Sequence, residues 1–148
     1  MSSKPTIVIC SSMAFYRHAN VIADELRNQG LHVIVPENAI KMKQSGNYDP
    51  KAYSTWFKNP NEFKRKGELM RTHFDKITKA DAILVVNDEK HGIAGYIGPN
   101  VLLEMGLAFY LGKTIFVLNP VGDEARIYEE VLGMGSIILN GDLSQIGA

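Results

Sequence analysis

The sequence has a single cysteine, Cys10, among its 148 residues. An internal disulfide is therefore impossible, and a lone thiol fits a reducing compartment. Net charge is missing as well, because sixteen basic residues balance sixteen acidic ones. Such a chain has no overall attraction for DNA, RNA or an anionic membrane, so neither nucleic acid nor membrane is expected as a partner. Long apolar runs are absent too. None approaches the roughly 18 residues that span a bilayer. The apolar stretch between Met1 and Ser11 is too short for the core of a secretory leader. A cytoplasmic protein is the expectation. Internal repeats and low-complexity tracts are also lacking.

What is present is an ordinary globular mixture. Apolar residues make up 45% and charged residues 22%, which excludes disorder as the main state. The length predicts one domain over residues 1–148. Four short apolar runs stand out: Thr6 to Cys10, His32 to Pro36, Ala82 to Asn87 and Thr114 to Asn119. They are rich in Val and Ile and do not alternate with polar residues, as expected of strands buried on both faces of a parallel sheet. A last strand is expected near Ser136 to Leu139.

Helical patterns separate these runs. From about Phe15 to Gln29, residues Phe15, Ala19, Ile22, Ala23 and Leu26 share a face, and Gly30 supplies the stop. From about Asn61 to Lys79 the apolar face is Phe63, Met70, Phe74 and Ile77, with Gly67 a weak point. Further helices are expected from about Pro99 to Leu111 and Asp123 to Leu132. This alternation predicts a doubly wound α/β domain, a parallel sheet of about five strands flanked by helices. Residues 37–60 break the pattern. They have no clear period, and hold Tyr48, Tyr53, Trp56 and Phe57. From Lys41 to Lys66 there are seven basic and two acidic residues. The segment reads either as a basic, aromatic lid over an anionic, ring-containing ligand or as a surface excursion pinned by its aromatics.

Ligands of open parallel sheets bind beyond the carboxyl ends of the strands. Those ends read Cys10-Ser11-Ser12, Pro36-Glu37, Asn87-Asp88 and Asn119-Pro120. Each polar residue has an ordinary use in a turn, but together they locate a crevice. The Pro99–Leu111 helix is apolar nearly all round and is expected to be buried on most sides. Its polar exceptions before Tyr110 are Asn100 and Glu104, which lie on one face, four residues apart. A buried glutamate is uncommon unless paired. Glu104 is therefore either a structural hydrogen-bonding group or a carboxylate acting as nucleophile or general base.

The histidines His18, His32, His73 and His91 are scattered, and no HxxxH, CxxC or His-Cys spacing occurs. No metal and no other cofactor are expected. Cys10 reads as core packing, since no His or Asn partner is evident. Arg71 and His73 read as a solvated helix face, although Arg71 can reach a phosphate. Gly92, Gly95 and Gly98 form a glycine loop, either a phosphate-contacting loop or a mobile flap; it is not the dinucleotide fingerprint.

Several of these pieces occur in one order elsewhere. Ala80-Asp81-Ala82-Ile83-Leu84-Val85-Val86, then Glu104-Met105-Gly106-Leu107-Ala108, then Gly112-Lys113-Thr114-Ile115-Phe116-Val117 resemble the nucleoside 2-deoxyribosyltransferase superfamily, which includes 2′-deoxynucleoside 5′-monophosphate N-glycosidases. The opening is similar as well: a strand to Cys10, the turn Ser11 to Tyr16, then Gly30-Leu31-His32-Val33-Ile34-Val35-Pro36. The resemblance implies a flavodoxin-like or Rossmann-like domain. It implies that Glu104 attacks the anomeric carbon of the sugar, with Tyr16 supporting it and Asp88 contacting the leaving base. Ser11 and Ser12 are implied to meet a phosphate or sugar hydroxyl, and the crevice residues Asn87, Asn100 and Asn119 complete the substrate-binding set. Gly98 stands where the transferases carry an acid and the monophosphate glycosidases often a serine, so it offers only its backbone. The resemblance also implies a homodimer or higher homo-oligomer, with Phe109, Tyr110 and the 37–60 aromatics as interface candidates.

The resulting expectation is hydrolysis of the N-glycosidic bond of a (deoxy)nucleoside 5′-monophosphate. The alternatives are deoxyribosyl transfer between bases and a nucleotide-binding module without catalysis.

Overall fold

The computed structural model describes residues 4–147; Met1 to Ser3, which entered the leader argument, lie outside the described residues. Five strands form one parallel sheet in the order β2-β1-β3-β4-β5. They are β1 (Thr6–Ser11), β2 (His32–Ile34), β3 (Ala82–Val86), β4 (Thr114–Val117) and β5 (Ile137–Ile138). The helices are α1 (Tyr16–Asn28), α2 (Glu37–Ser45), α3 (Phe63–Lys79), α4 (Pro99–Tyr110) and α5 (Tyr128–Gly133). The α/β fold is the expected one.

The continuous apolar strands explain the layering. Alternate side chains of one strand point to opposite faces, so a strand without polar alternation needs cover on both. Ile7, Ile9, Leu84 and Val86 meet Ala19, Ile22, Ala23 and Leu26 of α1. Val8, Cys10, Ile83 and Val85 meet Ile77 of α3, Val101, Met105 and Ala108 of α4, and Val131 of α5. Gly30 ends α1 as expected. At φ 91° it lets its own N–H reach the Arg27 carbonyl and that of Leu31 reach Leu26, a Schellman closure.

Four local expectations are corrected. Residues 37–45 form α2 rather than irregular chain. Only Ala39 and Met42 supply buried apolar side chains, with buried Asn38 beside them, too few to mark a helical period. Its ends still follow helix rules: Pro36 at the entry, Glu37 in the first turn, and left-handed Gly46 donating to the Met42 carbonyl. Three single 3₁₀ turns fill much of 50–62. On α3 the buried positions are His73 and Ile77, whereas Phe63 is half exposed. Helix α4 is not buried on most sides, since Leu103, Phe109 and Tyr110 stand in solvent. Helix α5 starts only at Tyr128, after turns that close Gly122 on Ala125 and Ala125 on Tyr128. No helix among the described residues is long and apolar enough to cross a membrane.

The sheet order places the switch point between β1 and β3: the chain leaves β1 toward β2 on one side and β3 toward β4 on the other. The loops above these two strands diverge, and the crevice between them is where an open sheet of this kind holds ligands.

Candidate functional site

Beyond the ends of β1 and β2 lies a cleft walled by α3, α4 and the 36–56 segment. Its lining includes Tyr16, Trp56, Lys66, His73, Asn100 and Glu104. Glu104 stands in the second turn of α4, whose entry is Gly98 followed by Pro99 at the first helical position. Only 3% of Glu104 is exposed. Asn100, one turn earlier, donates from Nδ2 to Glu104 Oε2 at 3.4 Å. The other carboxylate oxygen, Oε1, is 3.8 Å from His73 Nε2. That nitrogen is in turn 3.7 Å from Cys10 Sγ.

Burial governs the protonation of this cluster. It pushes the Glu104 carboxyl up to about 8, with the Lys66 charge and the Cys10 thiol limiting the rise. It pushes His73 down to about 4, helped by the charge of Lys76. The Cys10 thiol and the Tyr16 hydroxyl are both raised by burial and then by Glu104. Near neutral pH the carboxyl is mostly protonated and the imidazole neutral, so the His73–Glu104 contact is not an ion pair. Lys66 and Lys76 are half-buried and both are lowered by burial. Lys66 lies 5.7 Å from the Trp56 ring centre, and Lys76 donates to the Val35 carbonyl at 3.2 Å.

The fold brings together Glu104, Tyr16 and Asn100 among the residues singled out from sequence. It places the others around the crevice in different settings. Ser11 is buried and donates to the Val86 carbonyl at 2.9 Å, fastening β1 to β3. The Ser12 hydroxyl accepts from Lys90 Nζ at 3.2 Å. Asn87 and Asn119 bind one another: Asn87 Nδ2 donates to the Asn119 carbonyl (2.8 Å), the Asn119 N–H to Asn87 Oδ1 (2.9 Å), and Asn119 Nδ2 to the Asn87 carbonyl (3.1 Å). Gly98 caps α4 with its carbonyl, which accepts from the Leu102 N–H. Asp88 lies apart from Glu104. Its carboxylate is 2.7 Å from His18 Nδ1, in a second cleft between α1 and the C-terminal turns that Asn119 also lines.

Sequence reasoning missed His73, and with it the partner that makes Cys10 more than packing. Among the described residues, Cys10, His73 and Glu104 hold donor atoms within 4.8 Å of one another. The absence of a local ligand motif therefore did not exclude a cluster that three separate elements assemble. One signal existed: His73 lies four residues before Ile77, hence on the same α3 face. Lys66 and Trp56 were read only as parts of a basic, aromatic stretch. Tyr48 and Tyr53 pack against the α1 side of the core, whereas Trp56 is buried in the cleft wall and Phe57 is exposed.

No protein-family model matches the chain, and no curated protein matches it. Among solved structures the fold is similar to that of the Clostridium botulinum CMP N-glycosidase BcmB. The TM-score is 0.51 at 16% identity, over 96% of this chain and 97% of that one.

Proposed function

We propose that this protein hydrolyses the N-glycosidic bond of a nucleoside 5′-monophosphate, ribo or deoxy, with Glu104 as nucleophile. The observation that carries the reading is the buried carboxyl of Glu104 at the wall of a cleft beyond the strand ends, with Asn100 donating to it and Tyr16 beside it in the lining. The CMP N-glycosidase activity named for the structural neighbour is of the same class.

In its ionised form Glu104 attacks C1′ of the sugar. The bond from C1′ to the base nitrogen breaks, and its electron pair leaves with the base, which takes up a proton. The sugar is left as an ester of Glu104, and water then attacks C1′, releasing sugar phosphate and the carboxylate. The net consumption is one water. Tyr16 remains protonated and serves as a hydrogen-bond donor. Lys66 and Lys76 supply positive charge for a phosphate, and the Trp56 wall supplies an apolar surface. Asp88, held by His18 outside this cleft, has no step in the scheme.

The test is incubation with ribo- and deoxyribonucleosides and their 5′-monophosphates, with free base read by chromatography. Base release from a monophosphate, abolished in Glu104→Gln, is the expected result. Release that survives in Glu104→Gln, or none from any substrate, overturns the reading. A new nucleoside formed on adding a free acceptor base identifies a transferase instead.

A further inference from the structure

We propose that Cys10, His73 and Glu104 form a three-ligand site for a zinc-type divalent cation, and that the bound ion blocks base cleavage by taking Glu104 as a ligand. The binding half stands on the geometry alone; the inhibitory half rests on the function proposed above.

The three donors come from three elements, β1, α3 and α4, and all three residues are buried. They are a sulfur, an imidazole nitrogen and a carboxylate oxygen. This set suits zinc or cobalt far better than magnesium or calcium, which take oxygen ligands. Their spacing, all within 4.8 Å of one another, is close to that of ligands sharing one ion. With metal–ligand lengths of about 2.0–2.3 Å, tetrahedral donors sit roughly 3.3–3.6 Å apart. The observed separations are 3.7 Å from Cys10 Sγ to His73 Nε2 and 3.8 Å from His73 Nε2 to Glu104 Oε1. The second exceeds a hydrogen bond, yet a shift of a few tenths of an ångström closes either around an ion.

Charge agrees, as does the outer contact of Glu104. A thiolate and a carboxylate neutralise a dication, so the complex carries no net charge into a site that could not hold a lone ion. Asn100 holds the Oε2 oxygen of Glu104 and leaves Oε1 facing His73, the kind of outer contact that orients a ligand. His73 and Glu104 also line the cleft. The cleft thus gives an ion its entry path. With Oε1 bonded to the ion, the negative charge of the carboxylate is drawn toward the metal, and its other oxygen, Oε2, accepts from Asn100, so the group is a much weaker nucleophile toward C1′.

The experiment uses chelator-treated, full-length protein titrated with Co²⁺ and followed by ultraviolet–visible absorption. Binding of one equivalent, with a thiolate-to-cobalt charge-transfer band and tetrahedral ligand-field bands, is the expected result; Zn²⁺ should displace both. The chain has only one cysteine, so such a band reports Cys10 without any variant. Cys10→Ser should lose the band, and His73→Gln should weaken Co²⁺ binding; the thermal unfolding transition of each verifies its fold. No charge-transfer band, or a titration unchanged in folded Cys10→Ser, overturns the site. In the activity arm, one equivalent of Zn²⁺ should lower wild-type base release to the Glu104→Gln level, and chelator should restore it. Base release that persists with the cobalt signature present overturns the inhibitory half. Glu104-dependent release with no cobalt signature overturns this proposal while leaving the proposed function intact. A cobalt signature without base release from any substrate overturns the proposed function and the inhibitory half while supporting the site.

Discussion

Glu104 is held at a cost that the proposed reaction must repay. A nucleophilic carboxylate has to be ionised, and burial pushes its pKa up to about 8. At pH 7 only about a tenth is in the active form. Base release by chelator-treated protein should therefore rise with pH, roughly tenfold per unit below the pKa, and level off above about 8. A rate that instead falls through this range would make Glu104 a general acid. His73 titrates near 4 and stays neutral over the whole interval, so it adds no second limb. Residue by residue, Glu104 was legible because a carboxyl interrupts an apolar helix. His73 was not, since a polar residue on a charged helix looks solvated until its facing strand is known. Cys10 was hidden for the same reason: the partner of a cysteine is a property of the fold, 63 residues along the chain.

The strands and α1 were readable because each satisfies a single simple condition. Buried parallel strands need unbroken apolar runs, and α1 has one clean stripe closed by Gly30. Helix α2 was unreadable because its nine residues span only about two and a half turns and bury so little. The crevice loops mix both cases. Asn87 and Asn119 read as crevice polar groups, yet their side chains fasten the ends of β3 and β4 to one another. Asn87 Nδ2 also approaches the Gly95 carbonyl at 3.4 Å. Gly95, at φ 67°, packs so tightly against the Pro120 carbonyl that a Cβ has no room. Both Asn87→Ala and Gly95→Ala should lower stability by about 2–4 kcal/mol, the first by stranding buried polar groups and the second by strain and clash. Denaturant midpoints measure this; losses under about 0.5 kcal/mol, typical of a neutral surface site, would mean the strand ends are not fastened this way.

For the molecule as a whole, Glu104 and His73 act on stability in opposite directions. Glu104 binds its proton more tightly folded than unfolded, about 8 against 4.5, so its contribution is lost as pH rises from 4.5 to 8. His73 binds its proton less tightly folded, about 4 against 6.5, so its contribution is gained between 4 and 6.5. The two nearly cancel from about 4.5 to 6.5. Above 6.5 Glu104 alone of this pair remains, and its part of the stability should fall by about 2 kcal/mol up to pH 8. In Glu104→Gln that fall should vanish, and the rise between 4 and 6.5 owed to His73 should emerge. Unfolding free energies across this range test both; a variant that still tracks wild type above 6.5 would contradict the assignment.

The loop after β3 carries Gly92, Gly95 and Gly98. Lys90 and Ile93 bridge one another across His91 and Gly92, both at positive φ, as a tight hairpin turn requires. The Tyr96 N–H closes on the Asp88 carbonyl at 3.0 Å, and Gly95 is wedged below. Two of the three glycines thus serve curvature and the third caps α4, so none is left as a hinge. Solvent deuterium should reach the Tyr96 amide only when the strand ends part, at a rate set by the opening of β3 and β4 rather than by swinging of the loop.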